Sequence, residues 1–276
     1  MPNGSNHTTN DTHQQDTGRV FQPDRNNTAK GLSRALKTSL EEHDFTLPKA
    51  RTQPLRFTDS DLVVFGTPVY AGRVPNVLLP YLNTMQGNGA LAIPVVLFGN
   101  RDYDDALIEL REILENKGLH TIAAGAFVGE HSFSRILAKD RPDMKDMDIV
   151  DEFVRKICEK YKTDTLSHPI PVSGTPYPYR GYYTPRDRQG TPVDIRKVKP
   201  LTNDRCNNCK HCAKVCPMGS ISYENVRELT GICIKCGACI KKCPKQAKYY
   251  EDTGYLYHQH ELEEGLTRRA ENTFFI

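Results

Sequence analysis

Residues 206–217 read CNNCKHCAKVCP, and the same C-x2-C-x2-C-x3-C-P pattern returns at residues 233–244 as CIKCGACIKKCP. The two copies are offset by 27 residues and form an internal repeat. The chain has nine cysteines, and eight of them lie in these two copies. In a reducing compartment, such clustering indicates metal binding before it indicates disulfide bonds.

The spacing of these cysteines has a physical explanation in iron–sulfur chemistry. Three cysteines separated by two residues each can wrap one face of a cubane cluster, and the fourth is carried to the other cluster. We therefore expect two [4Fe-4S] clusters. The first is bound by Cys206, Cys209, Cys212 and Cys243. The second is bound by Cys233, Cys236, Cys239 and Cys216.

Zinc is the main alternative, because paired C-x2-C units also form zinc sites. Zinc takes four ligands, which leaves the third cysteine of each triplet idle and does not explain two complete C-x3-C-P endings. Charge also favours clusters, since residues 206–248 contain eight lysines or arginines and two acids. A [4Fe-4S] core with four thiolates carries about two negative charges, so two clusters would largely balance that excess. A generic basic surface would have the same composition.

The preceding part of the chain, residues 18–162, alternates apolar runs with amphipathic stretches. Continuous apolar runs that end in turn residues predict buried parallel strands at residues 61–70, 91–100 and 120–129. Stretches with helical spacing predict helices at residues 75–86, 103–118 and 147–162. Strands that alternate with helices are typical of βαβ units, so the sequence predicts an α/β fold with a parallel sheet.

The cysteine segment resembles a bacterial-type two-cluster ferredoxin. From roughly residue 20 to its end, the whole chain resembles the EFR1-family ferrodoxins, in which a flavodoxin-like domain is fused to such a module. GTPVYAGR (66–73) and FGNRDYDDAL (98–107) are similar to what that family carries at the same places. The resemblance implies a flavodoxin-like doubly wound parallel sheet, followed by a small α+β ferredoxin-like two-cluster module, and FMN as a cofactor.

A flavin in such a sheet lies at the carboxyl ends of the strands. Tyr70 is then a stacking partner for the flavin ring, and the turn at residues 100–103 would lay backbone N–H groups around its edge. The expected flavin-binding residues are Asn26, Asn27, Thr28, Thr67, Tyr70, Gly72, Asn100, Arg101 and Tyr103. The alternative is that glycine and asparagine serve only the geometry of these turns.

The phosphate end of this expected site is atypical. A flavodoxin-like phosphate turn places hydroxyls and glycine at a helix N-terminus after a good apolar strand. Residues 19–32 read RVFQPDRNNTAKGL, in which Val20 and Phe21 make a short strand and Asp24 would repel a phosphate. Asn26, Asn27 and Thr28 remain as hydrogen-bond donors. No G-x-G-x-x-G follows a predicted strand, so a dinucleotide is not favoured.

The other segments complete the predicted organisation. Residues 1–17 are polar and are expected to be disordered. Residues 163–200 form a linker rich in proline and tyrosine, which either packs between the domains or is an ordinary surface loop. The ferredoxin module spans residues 201–250. In the tail, 251–276, residues 258–272 have a helical pattern and TFFI gives an apolar end that anchors or frays.

Two functions fit these features. The first is an electron-transfer protein that exchanges electrons between two clusters and FMN, and whether it is an oxidoreductase with its own substrate stays open. The second is a ferredoxin-type carrier whose flavodoxin-like domain has lost its flavin and serves as a docking platform. Either would have a redox partner protein or a small-molecule donor or acceptor. The net charge of +3 does not favour nucleic acid, and no run is long enough to span a bilayer, so we expect a cytoplasmic protein.

Overall fold

The computed structural model describes residues 23–163 and 166–276. The expected disorder of residues 1–17 and the short strand at Val20 and Phe21 lie outside the described residues. The helices are α1 (Pro23–Leu36), α2 (Leu79–Leu82), α3 (Ala106–Asn116), α4 (Met144–Lys162), α5 (His211–Lys214), α6 (Ala238–Lys241) and α7 (Thr253–Gly265). The strands are β1 (Leu62–Pro68), β2 (Leu91–Phe98), β3 (His120–Thr121), β4 (Ala124–Val128), β5 (Leu201–Thr202), β6 (Lys248–Tyr249) and β7 (Thr273–Phe275).

The larger sheet has the order β1-β2-β4-β7, and β3 pairs with the start of β2. Strands β1, β2, β3 and β4 are parallel, and β7 runs antiparallel on the outer side of β4. The predicted α/β fold with a parallel sheet is therefore confirmed. The third predicted strand, residues 120–129, is split into β3 and β4. Its carboxyl part lies between β2 and the last residues of the chain.

Apolar cores cover both faces of this sheet. On one face of β2, Ala92, Val96 and Phe98 pack in a core with the buried residues of α3. On the other face, Ile93 and Val95 pack with residues of α1 and α4. A strand buried on both faces needs apolar residues at successive positions, which explains why the run at 91–98 is continuous rather than alternating.

The predicted helices differ in how well they match the structure. Helices α3 and α4 are present, and α4 starts at Met144 because Asp143 forms a capping box with Asp146. The predicted helix at residues 75–86 is wrong in length, since it is reduced to a 3-10 turn and the four residues of α2. Pro80 is one reason, because it has no N–H to donate within a longer helix.

The start of the linker packs along the α/β region. The carboxylate of Asp105, fully buried at the start of α3, accepts hydrogen bonds from the backbone N–H groups of Thr175 and Arg180, both at 2.9 Å. The Arg180 guanidinium pairs with the same carboxylate and holds its pKa far below the usual range. The Tyr182 hydroxyl donates to the Val74 carbonyl at 2.9 Å. This part of the linker is therefore fixed to the sheet region.

The tail also returns to the sheet. The bounds of the helix predicted at residues 258–272 are wrong, because α7 starts at Thr253 and ends at Gly265. The chain after Gly265 must turn back to reach β4, and the Asn100 side chain fixes this turn. Its Nδ2 donates to the Leu266 carbonyl at 3.0 Å, and its Oδ1 accepts from the Ala270 N–H at 3.0 Å. The apolar TFF then forms β7.

Among the described residues, no helix has the length and apolar character that crossing a bilayer requires.

A buried ion pair under the tail generates a stability prediction. Asp146 and Arg141 form a pair whose side chains are only 2% and 5% exposed, and Arg269 and Asn272 donate to the same carboxylate. Asp146→Ala leaves the buried Arg141 guanidinium without its carboxylate partner, so we expect the free energy of unfolding to fall by about 3–5 kcal/mol. Urea unfolding followed by far-UV circular dichroism measures this. Asp148→Ala, at an exposed position of the same helix, should change it by less than about 0.5 kcal/mol, and equal losses would contradict the prediction.

Candidate functional site

The cysteine module is built from two equivalent halves. Helices α5 and α6 are offset by 27 residues, and the residue before each has a left-handed backbone, Lys210 at φ 64° and Gly237 at φ 70°. The pairing of Thr202 with Lys248 in the β5–β6 ladder is repeated by the bridge between Ile221 and Leu229, again at that offset. The sequence repeat is therefore also a repeat of backbone conformation.

Backbone N–H groups are directed at sulfur atoms in both halves. The N–H of Ser220 donates to Cys216 Sγ at 3.4 Å, and the N–H of Ala247, at the equivalent position, donates to Cys243 Sγ at 3.2 Å. Burial alone would raise the pKa of the Cys243 thiol, but backbone N–H donors including Ala247 lower it overall. Donors of this kind stabilise thiolates, the form in which cysteine binds iron.

The first group of neighbouring thiols takes members from both halves. Burial raises the pKa of the Cys212 thiol; Lys248 opposes this, and Cys206 and Cys243 raise it further. Cys243 belongs to the second copy of the motif and is nevertheless an electrostatic neighbour of Cys212 in the first. Cys209, the remaining cysteine of that triplet, is exposed.

The second group has the converse composition. Burial raises the pKa of the Cys236 thiol to about 11, with contributions from Cys216 and Cys233. Burial also raises the pKa of the Cys239 thiol, and the same neighbours add to it together with Cys236. Cys216 comes from the first copy of the motif. The electrostatic neighbours of Cys236 and Cys239 therefore include one cysteine from the other copy of the motif.

A cleft of about 1040 Å³ lies between this second group and the sheet. Its sheet side contains the carboxyl end of β1 with Thr67 and, just beyond the strand, Tyr70. Its module side contains Cys216 and Cys236. A third wall comes from residues 44–49 and Arg51. The cleft therefore lies at the strand ends where ligands bind in open α/β sheets.

The cleft contains polar atoms without partners among the described residues. Thr67 is 1% exposed, and its hydroxyl has no hydrogen-bond partner there. Nε of Arg51 is also buried and has no hydrogen-bond partner among the described residues, although Nη2 of the same side chain donates to the Pro217 carbonyl of the module. Buried polar atoms are normally hydrogen-bonded, so these two atoms suit a polar ligand.

The charged side chains of the cleft are mainly basic. Lys49, Arg51, Lys214 and Lys242 line it, against the single acid Asp44 among the described lining residues. This balance favours an anionic ligand such as a phosphate ester.

Tyr70 links the sheet to the second thiol group. Burial raises its pKa well above the ordinary value, and Cys236 and Cys233 raise it further. The phenol therefore stays neutral beside these thiols and presents an aromatic ring at the cleft.

Other predicted flavin residues are used elsewhere in the fold. Asn100 holds the tail, and Arg101 pairs with Asp104 and lies over the ring of Tyr183. Gly72 has φ +78°, and a Cβ there would lie 2.2 Å from Asp104 Oδ2, so this glycine serves a close approach. Tyr103 packs on the ring of Phe98, and burial raises the pKa of its phenol.

The predicted phosphate residues lie in α1 rather than in a turn before it. Thr28 is buried, and Asn27 Nδ2 donates to Met147 Sδ of α4 at 3.2 Å. Asn26 belongs to the first turns of the same helix, and its side chain is outside the described part of the structure. Thr67 and Tyr70 are thus the predicted flavin residues that line the cleft, and sequence reasoning missed the wall at residues 44–51. Its one sequence signal is the basic run PKAR at 48–51.

The module is docked against the turn that follows β4. Lys241 Nζ donates to the His131 carbonyl at 2.6 Å and pairs with Glu130 at 3.2 Å. Next to this contact, a Cβ on Gly237 would lie 2.3 Å from the Ser132 carbonyl oxygen. Lys210, the equivalent of Gly237, shows that a left-handed backbone alone does not require glycine. The close approach to Ser132 does.

Comparison with known families identifies the class of this module. Residues 205–248 match the model of the 4Fe-4S dicluster domain, and the match includes all eight cysteines of the repeat. The search of curated proteins gives no match to the chain. Residues 205–248 are therefore a ferredoxin-like iron–sulfur module, whose clustered cysteines support [4Fe-4S] binding. A module of this class indicates electron transfer.

The close approach at Gly237 predicts a sensitive contact. Gly237→Ala places a methyl group against the Ser132 carbonyl and imposes a left-handed backbone on alanine, which alone costs about 1–2 kcal/mol. We expect faster amide hydrogen exchange at residues 130–134 and a lower melting temperature. Gly265→Ala is the control, because its Cβ meets no atom within 4 Å. Unchanged exchange in Gly237→Ala would show that the contact is not close in solution.

Proposed function

We propose that this chain is an electron-transfer protein that carries two [4Fe-4S] clusters and exchanges electrons with FMN bound in the cleft. The observation that carries the proposal is the composition of the cleft. One wall is the carboxyl edge of a parallel sheet, and the opposite wall contains Cys216 and Cys236 of the iron–sulfur module. A ligand in this cleft would lie directly beside one cluster.

The thiol groups support two clusters with exchanged fourth ligands. Cys206, Cys209, Cys212 and Cys243 would hold the first, and Cys233, Cys236, Cys239 and Cys216 the second. The electrostatic coupling of Cys212 with Cys243, and of Cys239 with Cys216, supports these sets. The paired N–H···S contacts at Cys216 and Cys243 supply the donors that iron-bound thiolates accept.

The cleft fits a flavin in size and chemistry. Its volume of about 1040 Å³ is at the upper end of ligand pockets, and apolar side chains such as Phe45 and Leu78 line it together with Tyr70. The unpartnered Thr67 hydroxyl would bond to a polar edge of the ring. Arg51 and Lys49 would balance the charge of the phosphate. A bound flavin would supply the exchange between two-electron and one-electron chemistry.

The second candidate is a carrier whose α/β region binds no flavin and docks a partner instead. This candidate is favoured by the contacts that two predicted flavin residues make elsewhere. The Asn100 side chain donates to the tail, and Arg101 forms an ion pair with Asp104. Asn27, expected at the phosphate, instead contacts Met147. Flavin binding therefore decides between the two candidates, and a substrate would be sought only if flavin binds.

The exchange of fourth ligands predicts an asymmetric effect of one mutation. Cys216→Ser should impair the cluster that contains Cys233, Cys236 and Cys239, and leave the cluster of its own triplet intact. Iron and sulfide analysis with electron paramagnetic resonance of the reduced protein measures the two clusters. Cys158→Ser is the control, because this cysteine is a buried residue of α4 and lies outside the repeat. Loss of the cluster held by Cys206, Cys209 and Cys212 would contradict the assignment.

Flavin binding is tested on the anaerobically reconstituted protein. We expect about eight irons per chain and saturable FMN binding followed by flavin fluorescence. Tyr70→Leu removes the stacking ring and should weaken FMN binding by up to about tenfold. Tyr177→Leu, at a side chain that is 79% exposed, should not change it. Eight irons without flavin, even in excess FMN, would favour the carrier, and zinc without sulfide would reject both candidates.

A further inference from the structure

A second set of metal-ligating side chains lies away from the cysteine module. Glu115 is in the last turns of α3, His120 is the first residue of β3, and His168 is in the linker. One ligand atom from each lies within 4.8 Å of the others. We refer to these three residues as the His–His–Glu cluster. Neither the cysteine repeat nor the cleft involves it.

One atom of the cluster is without a partner in the described part of the chain. His120 Nδ1 is buried and has no hydrogen bond there. The His120 and His168 rings lie face to face, with centroids 4.0 Å apart and planes inclined by 30°. Two stacked imidazoles could serve packing alone, but packing leaves that nitrogen unsatisfied, which is unfavourable for a buried polar atom. A bound cation would satisfy it.

The Glu115 carboxylate is held in place by Thr121 of β3. Oε1 of Glu115 accepts the backbone N–H of Thr121 at 2.6 Å and also the Thr121 hydroxyl. The second carboxylate oxygen has no hydrogen bond of its own among the described residues and can act as a ligand. Metal-binding carboxylates are commonly fixed by such outer hydrogen bonds.

The histidine on the linker is brought to the cluster by backbone contacts. The N–H of Ile170, two residues beyond His168, donates to the Thr121 carbonyl at 2.9 Å. Arg111 Nη1 donates to the Ile170 carbonyl at 3.2 Å. Ile170 itself is buried. His168 therefore stays beside β3, and its side chain is exposed.

We propose that the His–His–Glu cluster binds a divalent transition-metal ion of the Zn²⁺ class. Imidazole nitrogen and carboxylate oxygen are ligands that suit zinc, and two histidines with one glutamate form a known three-ligand set, with water at the fourth position. Binding requires the two rings to separate from their stack so that one nitrogen of each reaches the ion. The ion would join α3, β3 and the linker, and so fasten the linker to the sheet near its start.

The first test is zinc binding to the full chain with its clusters already reconstituted. After incubation with ZnCl₂ and gel filtration, we expect about one zinc per chain, unchanged iron content, and a higher melting temperature with zinc. His168→Ala removes an exposed ligand and should lose the zinc and the thermal shift. His260→Ala, at another exposed histidine, is the control and should keep both. Zinc retained in His168→Ala, or absent from the wild-type protein, would overturn the proposal.

Two further measurements separate this site from the cysteines and from misfolding. X-ray absorption at the zinc edge should show nitrogen or oxygen ligands at about 2.0–2.1 Å, and sulfur at about 2.3 Å would mean that zinc has displaced a cluster, which overturns the proposal. Glu115→Gln keeps an acceptor for Thr121 but removes the negative ligand. We expect it to fold with normal iron content and to bind zinc at least tenfold more weakly. Unchanged affinity would exclude Glu115 as a ligand.

Discussion

The arrangement of the molecule depends on the close contact between the cysteine module and the turn after β4. Gly237 approaches the Ser132 carbonyl more closely than any side chain would allow, and Lys241 adds a hydrogen bond and an ion pair beside it. This contact brings the thiol group around Cys236 to the carboxyl edge of the sheet. The cleft lies between the two parts, beside the carboxyl end of β1.

The two thiol groups have different surroundings, and this difference matters for the proposed function. Two partly buried cysteines of the second group, Cys216 and Cys236, line the cleft, whereas the group with Cys206 includes the exposed Cys209. In the proposed electron-transfer protein, one cluster would therefore face the ligand in the cleft and the other would face solvent. Buried and exposed clusters also differ in potential, because solvent and hydrogen bonds tune it.

The sequence predicted what local chemistry determines and missed what distant contacts determine. The cysteine spacing was sufficient for the module, because ligands and turns repeat within 27 residues. Continuous apolar runs were sufficient to predict the positions of β1 and β2. Asn100 is one of the predicted flavin residues, and the sequence gives no sign that its side chain bonds to the tail more than 160 residues away. The cleft wall at residues 44–51 has no regular period, and the short basic run PKAR at 48–51 is not enough to predict its position.

The last strand of the chain returns it to the sheet of the α/β region. Strand β7 pairs with β4, so the chain leaves the α/β region before the module and comes back to it afterwards. Strands before and after the module both belong to the same sheet, so the module is tethered to it at both ends. Such a double attachment restricts how far the two parts can separate. It also covers the edge of β4, which would otherwise offer its unpaired backbone groups to strands of other molecules.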